Sequence, residues 1–158
     1  MKPNGSIFKL KRKRLNLFIL LIILTEPVTA APSSDISVPH AIYAIVNRDT
    51  TQHIISRNGL SAIFKMRLRH WQDGSPVTVF VLDDDNPLHK LFCKQILNVF
   101  PHQMRRSWNK LVFSGTGQAP VLVANKEEMI KKISMTPGAV GYIDGQDLTD
   151  TIKVLEIE

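Results

Sequence analysis

Three consecutive aspartates, Asp83-Asp84-Asp85, stand directly before Asn86-Pro87. Asn followed by Pro is the pattern of an N-cap and a first helical residue. A helix start offers free N–H groups and positive potential, which suit an oxyanion, so Asp85 and Asn86 are candidate ligand-binding residues. One carboxylate can accept a hydrogen bond from a protonated phosphate. Three oppose a dianion, and their simpler role is to form the turn and stabilise the helix start. Ser114-Gly115-Thr116-Gly117 resembles a phosphate loop in composition only. It follows a helix, whose carbonyl end is negative, and no Gly-Lys-Ser/Thr comes after it. A helix stop is the simpler reading, with the Ser114 and Thr116 hydroxyls available as donors if a neighbouring helix start faces them. Lys65, Arg67, Arg69, His70 and Trp71 form a basic cluster. On extended backbone 65, 67 and 69 share one side. Arg67 and Arg69 are therefore candidates for an anion-facing or partner-facing loop, against a plain solvated loop.

The same reading excludes several chemistries. Gly59-Leu60-Ser61-Ala62-Ile63 lacks the second glycine of a nucleophile elbow. His40, His53, His70, His89 and His102 never fall at i, i+4 around a glutamate, so no zincin motif is present, and no other spacing indicates a metal site. Cys93 is the only cysteine. It lies among Phe92, Ile96 and Leu97 and reads as a small buried hydrophobe. No catalytic residues, metal or cofactor are expected, and the chain is read as a non-enzyme.

The elements that must position these residues follow from periodicity. Ala41–Val46 is an apolar run suited to a strand buried on both faces, and Asn47-Arg48-Asp49 closes it. Leu60, Ile63 and Phe64 predict a helix over roughly 57–66. Asp73-Gly74-Ser75-Pro76 is a turn, and Val77–Leu82 is a second interior strand. The helix opened by Asn86 carries Leu88, Leu91, Phe92, Ile96 and Val99 along one side. Phe100-Pro101 ends it and opens another with Met104, Trp108, Leu111 and Val112, which Gly115 terminates. That spacing places Trp108 in the core and Arg105 and Arg106 on the surface. Ala119–Val123 is extended, Asn125-x-x-Glu128 is a capping box before Met129, Ile130 and Ile133, and strands follow at 139–143 and 151–157. Strands alternating with helices predict an α/β fold with a mostly parallel sheet flanked by helices.

The chain has 158 residues and a net charge of +6, and its ends differ. Residues 1–30 hold six lysines and arginines against Glu26 alone. The remainder is nearly neutral, which removes the dense positive face that nucleic-acid binding needs. A basic start, an apolar run over Leu15–Leu24 and Val28-Thr29-Ala30 form a secretory signal. Cleavage is expected between Ala30 and Ala31. The run is shorter than the roughly 20 residues that cross a bilayer, although an uncleaved anchor is the alternative. The expected organisation is a signal over 1–30, a flexible leader over 31–39 and one domain over 40–158, exported to the periplasm or, as second choice, secreted.

Three segments resemble phosphate-type periplasmic substrate-binding proteins of ABC transporters. They are Ala62-Ile63-Phe64 with Trp71-Gln72-Asp73-Gly74-Ser75-Pro76, the stretch Trp108–Pro120, and Thr136-Pro137-Gly138-Ala139-Val140-Gly141-Tyr142. The last is the most specific, and the likeness spans about residues 42–143. It implies one lobe of a type-II periplasmic-binding-protein-like fold. By analogy it also implies phosphate or another small oxyanion as ligand and an inner-membrane transporter or other envelope protein as partner. Two departures stand out. The family has two closing lobes, and its Ser-Gly-Thr-type anion run would fall where this chain has Asp83-Asp84-Asp85-Asn86. A lone lobe covers less of a ligand, so affinity is expected to be weak unless the chain forms a homodimer. The alternative function is an envelope interaction module that keeps the fold without tight ligand binding.

Overall fold

The computed structural model describes residues 41–158; the expected signal, its cleavage site and the expected leader lie outside the described residues. Strand β1 (Ile42–Asn47) is followed by the short β2 (Ile54–Ile55), helix α1 (Arg57–Phe64) and β3 (Thr78–Val81). Helix α2 (Pro87–Leu91) runs into a π-type turn (Phe92–Ile96). Then come α3 (Pro101–Phe113), β4 (Val121–Leu122), α4 (Lys126–Met135), β5 (Ala139–Asp144), β6 (Ile152–Val154) and β7 (Glu156–Ile157).

The main sheet has the order β4-β3-β5-β1-β6. β3 pairs in parallel with β4 and β5, whereas β1 pairs antiparallel with β5 and β6. Four strands thus share one direction and β1 alone opposes them. The fold is α/β with a mostly parallel sheet between helices. Side chains alternate across β5 and divide the two faces. At Gly141 an added Cβ would stand 2.6 Å from Ile133 Cδ1 and 2.9 Å from Met129 Sδ, so α4 rides close on that face. Tyr142 points the other way. Its ring stacks on Phe92 at 4.1 Å and meets Phe64 at 6.0 Å, which puts α1 and the α2 segment opposite α4.

The caps explain where the helices begin. Ser56 Oγ accepts from Gly59 N, Asn86 Oδ1 from Leu88 N and Asn125 Oδ1 from Glu128 N. Glu128 reaches back to Ala124 N, one residue before the usual capping-box partner. Asn47 does more than turn the chain. Its buried Nδ2 donates to Ile133 O and Ser134 O and so holds the carbonyl end of α4.

Several expectations need correction. The inward stripe of the α2 segment is His89, Phe92, Cys93 and Leu97, while Leu91 is 41% exposed. The π-type turn, with Leu97 N bonded to Phe92 O, shifts the face that a regular helix would bury. On α3 Met104 and Trp108 are buried, but Val112 is exposed in the last turn. The last predicted strand is two, because Leu155 N bonds to Ala44 O between them and β7 leaves to pair with β2. β2 was not legible in the sequence because two residues are too few to show a period.

Candidate functional site

Phe64 ends α1, and the chain turns sharply: Met66 has φ 58, and both Arg67 N and Leu68 N bond to Ala62 O. Residues 65, 67 and 69 are therefore not on extended backbone, and the shared side expected for them does not form. Arg67 is exposed. Arg69 instead reaches across 47 residues, where Nη2 donates to Thr116 O at 2.8 Å. Thr116 follows α3, whose C-terminal turn closes with Gly115 at φ +67. Ser114 Oγ and Thr116 Oγ1 lie 2.8 Å apart, and Ser114 Oγ also reaches Leu111 O.

Arg69, Gly115, Thr116, Gly117 and Gln118, with Met66 and Val77, line a concave pocket of about 430 Å³. No carboxylate lines it. The structure thus brings together Arg69 and Thr116, with Ser114 beside Thr116, from segments far apart in sequence. One guanidinium N–H is spent on the Thr116 carbonyl in the loop after α3. A guanidinium has five donors, and Thr116 and Gln118 add polar groups around it.

Asp85 and Asn86 line no part of that pocket. Asn86 spends its side-chain oxygen on the α2 cap. Asp83 Oδ1 accepts from Asp85 N, and the exposed Asp85 pairs with Lys90 at 3.1 Å. Asp84 is clasped by Arg105 through two bonds, Nη2–Oδ1 at 2.8 Å and Nε–Oδ2 at 3.0 Å. The Asp84 hydrogen bonds hold the Arg105 guanidinium firmly charged, above its ordinary range. Arg105 also lies 5.0 Å over the Trp108 ring. The acidic run is thus a turn with one neutralised member, bordering a second concavity with Lys90, Lys94, Phe100, Pro101 and His102.

Behind this turn is a buried polar cluster. Leu82 N donates to Tyr142 Oη at 2.9 Å, and Tyr142 Oη lies 2.5 Å from His89 Nδ1. His89 Nε2 is 3.5 Å from Cys93 Sγ and 3.8 Å from Asp84 Oδ1. Cysteine, histidine and aspartate together suggest a nucleophile, but the geometry opposes it. Sulfur and carboxylate approach the same ring nitrogen, whereas a base must face its nucleophile with one nitrogen and its orienting group with the other. Burial, with Asp84 adding to it, pushes the Cys93 thiol up to about 12. Cys93 is accordingly expected to resist iodoacetamide in the native protein at pH 8 and to react fully in denaturant. Native labelling at the rate of a free thiol would contradict its burial. Sequence reasoning missed the cluster because Tyr142, which anchors it, lies 53 residues from His89 and 60 from Leu82.

Two resemblance segments meet in the scaffold. Trp71 Nε1 donates to Gly138 O at 3.0 Å, tying the Trp-x-Asp-Gly turn to the Pro-Gly before β5. Bonds from the Ser75 hydroxyl, the Thr51 hydroxyl and the Ser75 amide pull the Asp73 carboxyl down to about 2. Among the described residues no group of three or more His, Cys, Asp or Glu side chains is placed to hold a metal ion. No described helix is long and apolar enough to cross a membrane.

This α/β architecture resembles part of solved phosphate-receptor structures, and the likeness is one of fold. An ABC-type phosphate transport receptor from Vibrio cholerae superposes with a TM-score of 0.59 at 13% identity, covering 75% of this chain and 46% of that one. PstS from Borrelia burgdorferi superposes with a TM-score of 0.59 at 17% identity, covering 75% of this chain and 47% of that one. The chain thus spans less than half the length of either receptor. No protein-family model and no curated sequence matches it.

Proposed function

We propose that this chain is an exported, single-lobe protein of the solute-binding type that binds a small oxyanion such as phosphate. Arg69, Thr116 and Gln118 supply the polar contacts, with Ser114 behind Thr116. The supporting observation is the Arg69 pocket: a guanidinium, a hydroxyl and an amide converge there, and no carboxylate lines the wall. The Arg69 pocket has no carboxylate in its lining, whereas the concavity at the acidic turn holds Asp84 and Asp85 beside Lys90, Lys94 and His102. Asp85 and Asn86 then serve the turn and the cap, and Arg67 contributes general field only. The site is open and one-sided, so affinity on the order of 1 mM is expected.

Titration calorimetry with inorganic phosphate and a melting-shift assay test the reading. Arg69→Glu is expected to weaken binding roughly tenfold or more, the worth of a charge-assisted contact. Arg67→Glu is expected to change it less than about twofold, since an exposed charge off the pocket is screened. Neither heat nor a melting shift at millimolar phosphate would remove the oxyanion and leave the fold untouched. The export step predicts a mature form beginning at Ala31 by mass spectrometry.

A second reading, an envelope interaction module, is favoured by the acidic turn standing where the receptors' anion run would fall. Pull-down from envelope fractions with Arg67 and Arg69 both changed to Glu tests whether the basic loop docks a partner. Partners unchanged by that swap would clear the loop of the role.

A further inference from the structure

His89 is 1% exposed, on the short helix that opens at the acidic turn. The groups facing it come from every element packed around it. Tyr142 is on β5, Cys93 on the π-type turn, Asp84 and Asp83 in the turn itself, and Arg105 and Trp108 on α3. One tautomer pairs both the tyrosine hydrogen and the ring N–H. Leu82 N–H donates to Tyr142 Oη, so the hydroxyl hydrogen is free to point at His89 Nδ1, 2.5 Å away. Nδ1 is then the acceptor and Nε2 carries the hydrogen, directed at Cys93 Sγ, with Asp84 Oδ1 3.8 Å away.

We propose that His89 is a proton-sensitive latch. In its neutral Nε2–H form it holds Tyr142 of β5 and approaches Cys93; protonation of the ring breaks the Tyr142 bond and pulls on Asp84, which shifts the Asp83–Asn86 turn. A second proton can enter only at Nδ1. There it points at Tyr142 Oη, which already accepts from Leu82 N. The tyrosine hydrogen is displaced from its acceptor, and a buried O–H is left unpaired unless the ring of Tyr142 or His89 moves. At the same time an imidazolium 3.8 Å from Asp84 competes with Arg105 for that carboxylate. Both effects act on the turn that walls the Lys90, Lys94 and His102 concavity.

The sign follows from burial. Desolvation outweighs the attraction of Asp84 and holds the ring's pKa below the ordinary 6.5. The unfolded chain therefore binds the proton more readily. The latch is complete above pH 6.5 and its contribution fades as pH falls below that value toward the folded pKa.

Nitrogen-15 NMR of the imidazoles, with amide shifts followed from pH 8 to pH 5, tests the latch on protein expressed with its own leader encoded. The expected result is an Nε2–H tautomer, a midpoint below 6.5, and amides of Asp83–Asn86 that move with that same midpoint. His89→Asn keeps an acceptor near Nδ1 and cannot titrate, so those amides should stay flat over the same range. An Nδ1–H tautomer, or a His89 titration that leaves the turn's amides still, would overturn the proposal. If the variant does not fold, the wild-type tautomer and midpoint decide. The latch does not depend on oxyanion binding at Arg69, and either can fail alone.

Discussion

Gly138→Ala is expected to cost about 3 kcal/mol or more, the largest loss from any single added methyl group in this fold. Gly138 has φ +69, where a side chain costs roughly 1–2 kcal/mol. Its Cβ would overlap the Pro76 carbonyl oxygen, which is backbone and cannot swing aside; forcing such a contact costs about 1–3 kcal/mol more. The neighbouring carbonyl is also occupied. Gly138 O accepts from Trp71 Nε1 at 3.0 Å and from Thr78 N at 3.2 Å, so a shift here disturbs both the buried Trp71 and the start of β3. Gly74→Ala is the control. It has φ +83 but open space around its Cβ position, so only the conformational part applies, about 1 kcal/mol. Thermal melts of both variants separate the contributions, and about 3 kcal/mol corresponds to a shift of roughly 10 °C. Equal losses in the two would show that the Pro76 approach is not a constraint.

The same geometry shows why some of this fold was legible from sequence. Thr-Pro-Gly-Ala-Val-Gly-Tyr is specific because each special residue has a job only that residue can do. Gly138 takes a left-handed turn against Pro76, Gly141 lets α4 descend onto the sheet, and Tyr142 delivers a hydroxyl to Leu82 N. Trp71 is fixed by Gly138 in turn. These residues mark a scaffold, so the pattern identified a lobe without identifying what the lobe holds. Caps at Asn86 and Asn125 were readable for the same reason, since a short polar side chain before an apolar period has one common use.

The candidate site was only partly legible. Ser114, Thr116 and Arg69 drew attention by type, but no local pattern indicates that the arginine crosses to Thr116 O. The expectation of an extended Lys65–Arg69 segment failed at Met66, whose positive φ folds the chain back on α1. The three aspartates looked alike in sequence and are not alike in the fold. Asp83 holds the turn, Asp85 meets a solvent-screened lysine, and Asp84 is the one clasped by Arg105. Long-range pairing sorts them, and no local pattern encodes it.

Trp108→Ala is expected to cost about 3–5 kcal/mol, the range for a fully buried aromatic cut back to a methyl. Trp108 is 0% exposed, and its Nε1 donates to Phe64 O at 2.7 Å, joining α3 to the end of α1. Trp108→Phe separates packing from the hydrogen bond. It keeps a ring but leaves Phe64 O without its indole donor, at about 1–3 kcal/mol. The consequence extends to the acidic turn. Arg105 lies over the indole while it clasps Asp84, so losing the ring frees the guanidinium that neutralises that carboxylate. A double-mutant cycle between Trp108→Ala and Asp84→Asn should then show coupling of at least about 0.5 kcal/mol in urea denaturation, with Trp71 as the remaining fluorophore. Strict additivity, or a Trp108→Ala loss under about 1 kcal/mol, would mean that α3 is held to the lobe by other contacts and that the turn's charge balance is set without it.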